Sequence, residues 1–190
     1  MWKHLGLALM GGLLALSVSW ASEEEKEVQS QMHESPALKD SLKNYPYKII
    51  CETYQNDNWE LFVLNADGSD PVNLTHTPDV HEMYPHVSPD GTKISFVSDE
   101  KQGRRTVRCV YVMNIDGSGR RKIADDGREP CWSWDGKSLA YVKSKYKEWQ
   151  VNDYATKGLF FYDLETGQET AHPNPAIEHL YNICLSPDGN

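Results

Sequence analysis

The sequence predicts an all-β chain made of repeated units of four short antiparallel strands, and three observations predict it. A first mark, Asn65-Ala66-Asp67-Gly68-Ser69, recurs as Asn114-Ile115-Asp116-Gly117-Ser118 and, more loosely, as Asp163-Leu164-Glu165-Thr166-Gly167, so that the starts fall at 65, 114 and 163, 49 residues apart each time. A second mark, Ser88-Pro89-Asp90-Gly91, recurs as Ser133-Trp134-Asp135-Gly136 and Ser186-Pro187-Asp188-Gly189, 45 and then 53 residues on. Between the marks lie short runs of β-branched and aromatic residues with alternating character, such as Lys93–Ser98 and Ser138–Lys143. A period of about 40 to 50 residues marks a propeller or an array. The expected fold is therefore a partial β-propeller of about three four-stranded antiparallel blades, preceded by a signal peptide and a linker.

The first 21 residues carry a basic start, an apolar run from Leu5 to Val18 and small residues at Ser19 and Ala21 ahead of an acidic burst, which is the pattern of a secretory signal cleaved after Ala21. The run is too short, and too interrupted by Gly11-Gly12, for a spanning helix of about 20 residues. Residues 22–45 turn to Glu, Lys, Ser and Gln, too few apolar groups to offset ordering entropy, and read as an acidic flexible linker. Ser35-Pro36 has the form of an N-cap and first position for a short helix to Leu42, but a solvated linker is the expectation.

From residue 46 to 190 the blades follow. Lys48–Thr53, Glu60–Leu64 and Pro71–Thr75 are expected to form a first blade that lacks its innermost strand. Tyr84–Val87, Lys93–Ser98, Cys109–Met113 and Arg120–Ala124 form a second, and Pro130–Ser133, Ser138–Lys143 and Gly158–Tyr162 open a third. Asn182–Leu185 is expected to be the innermost strand of a fourth, giving three strands, four, four and one. Since known propellers close with about four to eight blades, the ring is expected to be incomplete and the chain a fragment of a longer polypeptide.

The composition bounds the function. Nineteen Lys and Arg against 28 Asp and Glu give a formal charge of −9, an acidic surface that repels phosphate backbones and anionic lipid, so nucleic acid is excluded as the main partner. An aromatic content of 11% is too high for a chain disordered throughout. After the signal no segment of spanning length remains, so a soluble periplasmic or secreted protein is expected.

The stretch from Tyr84-Pro85-His86-Val87-Ser88-Pro89-Asp90-Gly91 through Ser98, followed by Val110-Tyr111-Val112-Met113-Asn114-Ile115-Asp116-Gly117-Ser118, resembles the WD-like repeat of TolB-type β-propellers, and the resemblance extends over about residues 46 to 190. The same blades resemble the propellers of prolyl-oligopeptidase-type peptidases and of oligogalacturonate lyases, and a fold does not carry a function with it. Resemblance to TolB implies contacts with envelope proteins. The expectation is a binding scaffold without catalysis of its own and without a cofactor, taking another envelope protein or a saccharide or peptide ligand. The alternative is the propeller portion of an enzyme of the lyase or peptidase type.

Candidate chemistry is sparse. His76, His81 and His86 recur every five residues with Asp79 and Glu82 among them, and His81 and His86 are weak candidates for a metal; a surface loop is the expectation. Asp67, Asp90, Asp116, Asp135 and Asp188, with Gly68, Gly91, Gly117, Gly136 and Gly189, are read as hairpin corners rather than paired carboxylates. Cys51, Cys109, Cys131 and Cys184 are expected to be small buried hydrophobes, with disulfides left open; Cys131 and Cys184 share one repeat position, filled by His86 in the other copy. Trp132, Trp134, Tyr84 and Tyr141 read as inter-blade core. Lys101 to Arg108, joined by Arg120, Arg121 and Lys122, reads as a solvated basic loop, and Asn73-Leu74-Thr75 as a glycosylation sequon.

Overall fold

The computed structural model describes residues 35–145 and 155–188; the expected signal peptide and Gly189 lie outside them. Two compact units divide the chain, one ending at Leu42 and the other running from Lys43 onward. In the first, α1 (Pro36–Leu42) occupies part of the segment expected to be linker. The Leu38 amide donates to Ser35 Oγ at 3.3 Å, so Ser35 caps the helix and Pro36, with no N–H to leave unpaired, takes its first position. No helix among the described residues is long and apolar enough to cross a membrane.

The second unit is three antiparallel sheets in which each strand pairs with its neighbour in sequence. The first holds β1 (Lys48–Gln55), β2 (Asn58–Asn65) and β3 (Val72–Asn73). The second holds β4 (His81–Val87), β5 (Lys93–Gln102), β6 (Arg105–Asn114) and β7 (Arg121–Asp125). The third holds β8 (Gly127–Trp132), β9 (Ser138–Ser144), β10 (Thr156–Asp163) and β11 (Glu169–Ala171). A three-stranded blade and two four-stranded blades thus follow one another.

Alternation along β5 and β6 sends side chains to both faces of the second blade, and both faces are apolar because each is covered. Ile94, Phe96 and Met113 pack on Leu61, with Ile50 beside them, from the first blade. Val97, Val110 and Val112 pack on Trp132, Leu139 and Tyr141 of the third. Each fully buried side chain of this size contributes roughly 1.5–3 kcal/mol of burial energy, which makes the two inter-blade layers the core of the unit.

The corners follow from their residues. The amides of Gly68, Gly91, Gly117 and Gly136 each donate at 2.9 Å to the carbonyl three residues back, closing a turn, and each glycine then takes a left-handed φ between 68° and 84°. The aspartate before each glycine accepts the amide two residues on, at 3.1 Å in Asp67, 3.0 Å in Asp90, 3.0 Å in Asp116 and 3.1 Å in Asp135. Hydrogen bonds from Ser88 and Thr92 hold the Asp90 carboxyl down to about 2, and the serines at Asp116 and Asp135 lower theirs in the same way. Gly117 is the most constrained corner: a Cβ there would stand 2.7 Å from the Leu74 carbonyl oxygen, at a φ of 84°. Gly117→Ala is expected to lower stability by about 1–3 kcal/mol in urea unfolding, whereas Gly68→Ala, with nothing within 4 Å, carries only the conformational part.

Two expectations are corrected. Asn182–Leu185 is not a strand: a strand exchanges a ladder of backbone hydrogen bonds with its neighbour, whereas the Asn182 amide donates to the Glu129 side chain. Lys101 to Arg108 is not a solvated loop, because β5 and β6 pair in register from Lys93↔Asn114 to Gln102↔Arg105, leaving only Gly103 and Arg104 in the turn. Val107 and Cys109 are buried on this hairpin, and their apolar packing draws Arg108 between them into the ladder.

Candidate functional site

The inner edge of the unit is built from one recurring irregularity. Tyr84, Glu129 and Asn182 stand at the same repeat position, four residues before the corner serine, and take left-handed φ values of 56°, 53° and 50°. Proline follows at Pro85 and Pro130, and the ladders break register between Met83 and His86 and between Arg128 and Cys131. A non-glycine residue in this region is strained, and carboxylates offset it: Glu52 accepts the Tyr84 amide, and Glu129 Oε2 accepts the Asn182 amide at 3.2 Å. Glu52 and Glu129 are positioning residues that the repeat marks do not reveal. Beside them the indole of Trp132 donates to the His86 carbonyl at 2.9 Å, tying β8 to β4.

Tyr84 is 49% exposed, with the Arg108 guanidinium 5.7 Å from its ring centre. Arg108 in turn forks onto Asp99, with Nε–Oδ1 and Nη2–Oδ2 both at 2.7 Å. The planar fork fixes this side chain, and so the tyrosine above it, more firmly than a lysine would.

A polar seam runs between the first two blades. Glu82 is fully buried; its Oε1 accepts from Arg120 Nη1 at 2.8 Å and from Thr77 Oγ1 at 2.5 Å. Arg120 also reaches Ser98 Oγ at 3.0 Å and lies over Phe96 at 5.1 Å and Tyr111 at 4.6 Å. Thr77 bridges to a second carboxylate, its amide donating to Glu60 at 3.0 and 3.2 Å. Burial, the largest cause, pushes the Glu82 carboxyl up against the opposing pull of Thr77 and Arg120. Farther along, Tyr111 donates to Glu100, Lys122 Nζ bridges Glu100 at 2.7 Å and Asp125 at 3.2 Å, and the Cys109 thiol lies 3.2 Å from Asp125. Burial followed by the acidic neighbours pushes Tyr111 up to about 12 and Cys109 higher still, so the thiol stays protonated and is a poor nucleophile. Glu60, Thr77 and Glu82 thus join the first two blades, and Glu100, Tyr111, Lys122 and Asp125 tie strands of the second to one another.

The corner of the third blade differs. Trp134, expected in the inter-blade core, is 67% exposed, because the corner lifts its side chain off the sheet. It borders an open groove of about 680 Å³ with Phe161, Leu185 and Pro187 as apolar walls and Ser133, Asp135, Ser186 and Asp188 as polar ones. Tyr84 departs from the core expectation in the same way, whereas Trp132, 8% exposed, and Tyr141, fully buried, meet it.

The histidines stay apart. His81 and His86 lie on β4 with the bulge between them, and His81 Nδ1 accepts the Trp59 amide at 3.2 Å. Among the described residues no three His, Cys, Asp or Glu side chains converge on a metal-holding arrangement. All four cysteines are thiols; Cys109 is buried, Cys51 and Cys131 are half-buried, and Cys184 is exposed, against the expectation of a buried hydrophobe. Asn73, the sequon asparagine, is drawn inward, its Oδ1 accepting the amides of Thr75 at 2.9 Å and His76 at 3.1 Å. Sequence reading passed over Glu60 and set Glu82 only among the histidines, although a signal existed: both break the repeat, which places Cys109 and Gly127 at those positions one blade on.

Compared with known proteins, the chain is 32% identical over 104 residues to the Tol-Pal system protein TolB of Alcanivorax borkumensis, a match over 52% of this chain and 23% of that protein. The chain therefore spans less than a quarter of that relative's length. Among solved structures it is similar to a protein assigned as TolB from Agrobacterium tumefaciens, with a TM-score of 0.56 at 19% identity over 75% of this chain and 51% of that one. An oligogalacturonate lyase from Vibrio parahaemolyticus gives a TM-score of 0.47 at 13% identity over 70% and 36% of the two chains. No protein-family model matches the chain.

Proposed function

We propose that this chain, which is a TolB-like β-propeller in fold, serves as a binding scaffold in the cell envelope, periplasmic or outside the cell, without catalysis or a cofactor of its own. An envelope protein is the partner proposed, with saccharide or peptide ligands as the other members of the class. The observation that carries the reading is Trp134, an indole 67% exposed beside a groove walled by Phe161 and Leu185. Exposed tryptophan next to a concave apolar wall is the residue type and setting in which binding energy concentrates. The likeness to a Tol-Pal system protein supports an envelope partner, and the net charge of −9 disfavours nucleic acid.

The test is a photo-reactive phenylalanine analogue placed at position 134 of the full chain in the cells that make it. Adducts with an envelope protein are expected, and Trp134→Ala is expected to weaken that partner's affinity about tenfold or more. Adducts confined to cytosolic proteins, or turnover of polygalacturonate or peptide substrates by the purified chain, would overturn the reading.

A further inference from the structure

We propose that Cys131 and Cys184 form a disulfide when the folded protein meets a disulfide oxidant, fastening the segment from Asn182 to Asp188 onto β8. The two cysteines stand at one position of successive repeats, two residues before Ser133 and Ser186. Two contacts set their segments against each other. Two residues upstream, Glu129 Oε2 accepts the Asn182 amide at 3.2 Å. At the cysteines themselves, Leu185, the residue after Cys184, lies against the Cys131 sulfur, and Ser133 shares one groove with the run from Cys184 to Asp188. A cysteine side chain is short, and the Leu185 nitrogen is joined to the Cys184 Cα through a single carbonyl carbon. The contact therefore brings the two cysteines close, and a disulfide forms as their Cα atoms settle at about 4.4 to 6.8 Å.

Both thiols are held loosely. Cys131 Sγ donates to the Trp132 carbonyl at 3.6 Å and Cys184 Sγ to the Asn182 carbonyl at 3.8 Å, weak contacts that a χ1 rotation breaks. Exposure sets the order of events, since Cys184 is exposed and Cys131 half-buried. With glutathione disulfide as oxidant, the Cys184 thiolate attacks one of its sulfurs, the glutathione S–S bond breaks and one glutathione leaves as a mixed disulfide forms. Cys131 then loses its proton to solvent and attacks the Cys184 sulfur. The second glutathione departs as a thiolate that takes up a proton, so two cysteine thiols are oxidised while one glutathione disulfide is reduced to two thiols. Burial raises the Cys131 thiol, so the second step speeds up as pH rises. The bond fixes one wall of the groove beside Trp134, because Cys184, Leu185 and Ser186 line it.

The experiment treats the full chain with glutathione disulfide at about pH 8.5, followed by alkylation and non-reducing peptide mapping. Expected are loss of two of the four thiols, a mass lower by about 2 Da, a monomer carrying a peptide linked through Cys131 and Cys184, and a rate at least tenfold lower in strong urea. Cys131→Ser is expected to stop at the glutathione adduct on Cys184. A stable adduct in the unsubstituted protein, a dimer joined through Cys184, pairing with Cys51 or Cys109, or equal rates in urea would each overturn the proposal.

Discussion

Arg120→Ala is expected to destabilise the propeller unit by about 3 kcal/mol, at the low end of the range for breaking a buried pair because 27% of the arginine side chain meets solvent. The substitution removes the charge that faces Glu82, whose carboxylate is fully buried with Oε2 lacking a hydrogen-bond partner. It also strips the flat group lying over Phe96 and Tyr111. Adding Glu82→Gln is expected to recover part of the loss, since the uncompensated charge is then gone. The sign with pH follows from the raised Glu82 carboxyl. A group whose folded value lies above its unfolded one favours folding fully below the unfolded value of about 4.3 and loses that contribution as pH rises through the folded value. Stability of the unsubstituted protein relative to Glu82→Gln should therefore fall as pH rises from about 4 toward neutrality, in urea melts of both proteins side by side. A difference that stays flat with pH would show that Glu82 does not titrate between folded and unfolded states.

Tyr141→Ala is expected to lower stability by about 3–5 kcal/mol, the cost of emptying a large aromatic site in a packed core. Tyr141 is fully buried in the layer between the second and third blades, stacked on Phe160 with ring centres 6.0 Å apart, and its hydroxyl donates to Glu169. Tyr141→Phe separates the two contributions. It keeps the ring, and Glu169 keeps Lys143 at 2.8 Å, so only about 1 kcal/mol should be lost. A phenylalanine variant as unstable as the alanine one would place the stabilisation in the hydroxyl rather than in packing.

The strand order and the corners were legible because they are local or periodic. An Asp-Gly pair closes its own turn through bonds spanning two or three residues, and a period near 49 residues announces the next blade. The seam was not legible. Glu82 and Arg120 are 38 residues apart, and no pattern along the chain says that they meet over the face of the second blade, beside Phe96 and Tyr111. The basic stretch around Arg108 looked solvated for the same reason, since its partner Asp99 faces it only once β5 and β6 pair.

By itself, then, the sequence determined the period, the antiparallel connections and the alternation that makes blades, since these rest on backbone preferences and on residues close together along the chain. Only the tertiary structure decided which side chains face water and which face each other. It turned Trp134 outward while Trp132, two residues away, became core. It set the carboxylates of Glu52 and Glu129 on the Tyr84 and Asn182 amides of neighbouring segments. The physical reason is that burial and pairing depend on what lies across a sheet face, and that neighbour is distant along the chain, 32 residues away for Glu52 and Tyr84 and 53 for Glu129 and Asn182.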